Sequence, residues 1–218
     1  MNLKKELKAL RDRYVHILKY LYPSKGSLGF TERNLSVNFA EAYRSCHPNA
    51  CAWYEFHFGK KMHYDALLVD PDAKKIFLIE AKRFSNPDKT KEVDSDIQRI
   101  SAFRENEEEL RKRIRDYEEY AVCGIILGDV WTEDSFKSKI KESFEKENYL
   151  AQFGAEVLRS EKISLRNAEY YVQDFAGAIP ENWRKDNNLQ WFEQYYCLLA
   201  IVWEITQIAQ RTKSRPKT

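Results

Sequence analysis

Asp65, Glu80 and Lys82 have the types and the spacing of a cation site. Asp65 opens the apolar run Ala66-Leu67-Leu68-Val69, a turn follows, and a second apolar run from Ile76 to Ile79 closes on Glu80-Ala81-Lys82. Side chains on a strand alternate between faces, so Glu80 and Lys82 share one face and Ala81 takes the other. A turn centred between Asp72 and Ala73 pairs residues whose numbers sum to 145, which sets Asp65 opposite Glu80. Directly opposed residues point the same way. Folding requires no such gathering of charge at the end of a hairpin, and two carboxylates beside an ammonium suit a hard divalent cation, which takes oxygen ligands.

The elements that must position these residues follow from periodicity. Leu3, Leu7, Leu10, Tyr14, Ile17 and Leu21 form a narrow helical stripe, ended by Pro23 and Gly26. Thr31 can cap a second helix running to about Ser45, with Leu35, Phe39, Ala42, Tyr43 and Cys46 as its buried face, before His47-Pro48-Asn49 breaks it. Taking 100° per residue from Leu35, Glu32 lies about 60° away and faces the sheet, whereas Glu41 falls near the opposite side. Ala52 to Phe58 reads as a strand, Gly59-Lys60-Lys61 as a turn, and the Asp65 and Glu80 strands complete a meander. A charged helix spans about Val93 to Tyr117, and Ala121 to Leu127 reads as a buried strand. Beyond lie a charged helix near Glu133 to Glu147, a short stretch around Tyr170 to Val172, and a long aromatic helix from about Leu189 to Gln210.

The whole chain sets the bounds. Its 218 residues suit one domain with a substantial core, and 43% hydrophobic with 32% charged residues is the composition of a globular protein. A net charge of +2 argues for no partner by itself, so any basic surface must be local: Lys4, Lys5, Lys8, Arg11 and Arg13 at one end, Arg211, Lys213, Arg215 and Lys217 at the other. Cys46, Cys51, Cys123 and Cys197 are too scattered for a disulfide framework, and no signal peptide precedes them; no stretch approaches the ~18 apolar residues of a membrane span. The expectation is a soluble protein of the reducing cytoplasm with no membrane contact.

The order of helix, meander, helix and strand, with Asp65 two strands' worth of residues from Glu80-Ala81-Lys82, resembles the PD-(D/E)xK nuclease superfamily, over roughly Thr31 to Leu127. The tripeptide alone is weak, since Glu6-Leu7-Lys8 and Asp72-Ala73-Lys74 also match it, and context carries the likeness. Tyr64 stands where the family's name has proline; the literal Pro71-Asp72 reads as turn chemistry at the wrong end of the hairpin. The resemblance implies an α/β restriction-endonuclease-like core over residues 29–130, an N-terminal helix over 1–28 packed on it, a helical extension over 131–210 and a basic tail over 211–218. It implies a Mg²⁺-dependent phosphodiesterase, with Mn²⁺ able to substitute, acting on nucleic acid and on DNA before RNA. Asp65, Glu80 and the backbone carbonyl of Ala81 would hold the metal, and Lys82 would be either a base or an electrostatic stabiliser.

Further roles are implied for residues around that centre. The family often carries another glutamate on the helix before the meander; Glu32 is the candidate, with Glu41 and Glu55 as alternatives. Gln98 occupies the place of a helper-helix glutamine, although Ala102 stands where a tyrosine would follow. Lys60, Lys61, Arg83, Arg99 and Arg104 are candidate phosphate contacts, and a homodimer is expected if the substrate is double-stranded. A zinc set of Cys46, Cys51, His57 and His63 is the weaker metal reading. The rival from another class is a nuclease-like fold that binds nucleic acid or protein without cutting, its Asp65, Glu80 and Lys82 a surface salt-bridge cluster.

Overall fold

Thr31 begins the segment on which the site is built. Its hydroxyl accepts a hydrogen bond from the Asn34 N–H at 3.3 Å and caps helix α2 (Glu32–Cys46), whose buried face is Leu35, Ser36, Phe39, Ala40, Ala42 and Tyr43. Cys46, expected on that face, is only partly covered. The computed structural model describes residues 2–21, 31–58, 62–84, 90–131, 166–174 and 196–205. Helix α1 (Lys4–Leu18) packs on α2 through Leu7, Leu10, Tyr14 and Leu18, one turn earlier than the Leu21 end of its expected stripe, and Leu21 is exposed.

Three strands follow α2: β1 (Cys51–Phe58), β2 (Met62–Asp70) and β3 (Lys75–Phe84). The β2–β3 turn is built by Asp70, whose carboxylate accepts from the N–H groups of Asp72 and Ala73 at 3.0 and 2.9 Å. The register is the expected one, every pair from Asp70↔Lys75 to Ala66↔Ile79 summing to 145. Asp72 is tied to Asn49 at this end, far from Glu80, in keeping with its reading as a turn residue.

The expected helix from Val93 to Tyr117 is broken into α3 (Thr90–Ser101), a 3-10 segment (Ala102–Asn106) and α4 (Glu107–Arg113), which cross over to β4 (Ala121–Trp131), parallel to β3. The larger correction lies at the C-terminus. In place of a helix over Leu189 to Gln210 there is a strand, β6 (Tyr196–Glu204), paired antiparallel to β4 and to β5 (Arg166–Asp174). The described parts of residues 131–210 are strands rather than the expected helix, and they extend the sheet to six strands, ordered β1-β2-β3-β4-β6-β5. An apolar run buried on all sides has no period by which to tell helix from strand, and Leu198 to Trp203 is buried throughout. Gly124 of β4 makes room for it, because a Cβ there would come within 2.3 Å of the Trp203 ring. The segment Glu133 to Glu147 and the basic tail over 211–218 lie outside the described residues.

The fold is thus mixed α/β with a mostly antiparallel open sheet. Helices α1 and α2 cover one face, over Ala66, Leu68, Phe77, Ile79 and Ala81; α3 and α4 cover the other, over Tyr64, Leu67, Ile76, Leu78 and Phe84. Among the described residues no helix is long and apolar enough to cross a membrane.

Candidate functional site

The paired part of the β2–β3 hairpin ends at Ala66↔Ile79, while β3 runs on beside β4 to Phe84↔Val130. Beyond Ile79 the edge of β3 that faced β2 is open, and its amides must find other partners. Two acids supply them: Asp65 accepts from the Ala81 N–H at 2.7 Å, and Glu32, from the first turn of α2, accepts from the Arg83 N–H at 3.2 Å. The structure therefore brings Asp65 and Glu32 to the end of β3 that carries Glu80 and Lys82. Glu41 is paired with Arg44 on α2.

Glu80 and Lys82 face α3. Glu80 is 3% exposed, with Oε2 2.8 Å from the Arg99 guanidinium and Oε1 buried without a hydrogen-bond partner among the described residues. The same guanidinium lies 2.7 Å from Asp96, whose other oxygen is 3.1 Å from Lys82 Nζ; Glu92 is 3.6 Å from that ammonium. Acid and base alternate from Glu80 through Arg99 and Asp96 to Lys82. Asp96 is the main functional candidate that reading the sequence missed. A signal was present: Val93, Ile97 and Ile100 form the buried face of α3, and Asp96 sits within it.

The electrostatics follow from this burial. Removal from water pushes the Glu80 carboxyl up to about 8, and the neighbouring charge of Asp65 adds to the effect that Arg99 opposes. Burial also raises Asp65; the Ala81 N–H pulls it down, Glu55 pushes it up and Lys82 pulls it down. Burial alone would lower Lys82, but Asp96, Glu32 and Glu92 together hold its ammonium above the ordinary lysine value.

Several expected residues stand elsewhere. Gln98 is on the exposed face of α3, pointing away from the cluster that Asp96 and Arg99 join. Arg99 is engaged with two buried acids rather than presented to phosphate. Arg83 follows the alternation to the α1 side, where its charge acts on the buried Tyr14 hydroxyl beside Asp129. Arg104 donates to the Ile205 carbonyl at 3.1 Å, next to Val122 and so at the opposite end of the sheet. Lys60 and Lys61 lie outside the described residues. His57 and His63 are cross-strand neighbours, with ring centroids 5.9 Å apart, but Cys51 is six residues from His57 on one strand, roughly 20 Å. That spacing rules out a shared zinc ion.

In kind, the donors at the end of β3 fit a hard divalent cation: two carboxylates on adjoining strands, one with a buried oxygen that nothing else engages. Among the described residues no three His, Cys, Asp or Glu side chains form a ready group, so an ion held by Asp65 and Glu80 would draw its remaining ligands from backbone, water or substrate. No protein-family model, curated protein or solved structure matches this chain.

Proposed function

We propose that the protein is a divalent-metal-dependent nuclease, DNA its first expected substrate, and that α2, the meander, α3 and β4 form a restriction-endonuclease-like core. The observation that carries this reading is the fork past Ile79, where Asp65 and Glu32 cap the open edge of β3 while Glu80 and Lys82 project beside them. Asp65, Glu80 and the Ala81 carbonyl are the proposed ligands of Mg²⁺ or Mn²⁺. When bound, such an ion would polarise a phosphate and favour ionisation of a nucleophilic water near neutral pH.

The chain's own groups divide the remaining work. Lys82, held protonated by Asp96, Glu32 and Glu92, serves as a fixed positive charge for the phosphate rather than as a base. Asp96 fixes that ammonium and keeps it from closing on Glu80. Glu32 anchors the end of β3 to α2 and so sets where Lys82 begins.

A binding module without catalysis is the second reading, favoured by one observation: Glu80 and Asp96 are already engaged by Arg99, and Asp96 by Lys82 as well. Incubation of the purified protein with supercoiled, linear and single-stranded DNA and with RNA, in Mg²⁺, Mn²⁺ or EDTA, separates the two. The nuclease reading expects metal-dependent cleavage that Asp65→Asn and Lys82→Met each reduce by about 10²–10⁴-fold. Binding with no cleavage in any metal establishes the second reading instead, and equal cleavage by both variants overturns the first.

A further inference from the structure

A groove opens on the α4 side of the sheet, next to the candidate centre, and phosphodiester chemistry does not require it. Its floor is Phe56, Leu67, Val69 and Ile114, and its volume is about 660 Å³, within the range of small-molecule sites. Glu55 is among its lining residues. That residue is also the link to the centre, because the pairs Tyr54↔Ala66 and Phe56↔Tyr64 set it beside Asp65, on which its charge acts. The β1–β2 ladder runs from Tyr54↔Ala66 to Phe56↔Tyr64 with Glu55 between them at φ 51°, and the inward face changes there: Tyr54 packs on the α2 side and Phe56 on the α3 side. Alternation from Tyr54 puts Trp53, two residues or about 7 Å from Glu55 along the strand, on the groove side, where it is 68% exposed.

A large indole left in water on an edge strand contributes little to the core beneath it. Its neighbours indicate what could cover it. The charges at the rim are already matched within the protein: Glu55 with Arg33 at 3.1 Å, and Arg113 with Glu109 while its guanidinium lies over the Phe56 ring at 5.4 Å. A groove with an apolar floor, a flat aromatic wall and compensated charge suits a flat neutral ring better than a phosphate. Within reach of a centre that would act on a phosphodiester, the flat ring is a nucleobase.

We infer that this groove holds an unpaired nucleobase of the substrate, stacked on Trp53, while the adjoining phosphate lies at Asp65 and Glu80. The inference rests on the nuclease reading and narrows it. A base inside a duplex presents no free face to the indole, so the preferred substrate is single-stranded, or a duplex with an unpaired flank.

The test uses the full chain and fluorescence anisotropy in EDTA, with a labelled single-stranded oligonucleotide, as DNA and as RNA, and a blunt duplex of the same sequence. Trp53→Ala is expected to weaken single-strand binding about tenfold, Trp53→Phe to restore most of it, and duplex binding to change less than twofold. Single-strand affinity unchanged in Trp53→Ala, or an equal loss for duplex and single strand, overturns the inference while leaving any measured cleavage, and so the nuclease reading, intact. Sedimentation of both proteins reads the other occupant: a dimer that Trp53→Ala dissociates without loss of oligonucleotide affinity makes the groove a contact between copies of the chain. If the unaltered protein neither binds nor cuts any of these nucleic acids, the nuclease reading fails and the groove inference fails with it.

Discussion

Glu80 is buried beside Asp65 and Arg99, and taking its carboxyl out of water has a measurable cost. Its carboxyl titrates near 8 in the folded chain against about 4.5 when unfolded, so between those values the native state binds the extra proton. Stability contributed by the protonated form is complete below about 4.5 and falls as pH rises toward 8, at up to about 1.4 kcal/mol per pH unit. Glu80→Gln removes that dependence. Thermal melts should find this variant more stable than the unaltered protein at pH 8.5, with the gap closing by pH 5. Asp96 is a separate case, since it holds Lys82 and Arg99 together. Asp96→Asn should lower metal-dependent cleavage about tenfold or more through kcat with KM little changed, and Asp96→Glu should recover part of it. A loss confined to KM would assign Asp96 to substrate binding instead.

At the scale of elements, the two glycines of β4 make a packing claim that can be checked. A Cβ at Gly124 would collide with Trp203 and one at Gly128 with Phe84. Gly124→Ala should cost about 1–3 kcal/mol in denaturant unfolding, and a second change, Trp203→Leu, should return much of it if β6 lies against β4 as described. The same region shows why some elements were legible in the sequence and others were not. The β2–β3 register could be read because Asp70-Pro71-Asp72 fixes a turn and the flanking apolar runs fix the phase, and the Thr31 cap could be read because its side chain meets an amide three residues on. Strand β6 could not, because burial of every side chain from Leu198 to Trp203 erases the period. The placement of Asp65, Glu32, Glu80 and Lys82 at one end of β3 was legible from alternation and helical phase. Gln98 lies on the exposed face of α3, because the stripe of Val93, Ile97 and Ile100 turns position 96 inward and position 98 outward.

For the molecule as a whole, polar contacts hold both ends of the β2–β3 hairpin. At the turn end, the His47 ring lies 2.8 Å from Glu6 and 3.0 Å from Asp70, stacks on Tyr43 at 4.3 Å, and so joins α1, α2 and β2. Glu6 is almost fully buried, and among the described residues its second oxygen has no hydrogen-bond partner, so it depends on His47. His47→Ala should therefore destabilise the chain by about 3 kcal/mol, and adding Glu6→Leu, which removes the stranded acid, should recover most of that loss in the same melt. At the other end, where β2 parts from β3, Asp65 both fills a backbone vacancy and lends the charge that chemistry would use. On the nuclease reading, inactivation and unfolding are thereby joined in one side chain, and only the choice of replacement separates them. Asparagine keeps an oxygen for the Ala81 amide and discards the charge, whereas alanine strands that amide. A silenced protein that keeps its shape should therefore carry Asp65→Asn, while Asp65→Ala would confuse a loss of reaction with a loosened strand.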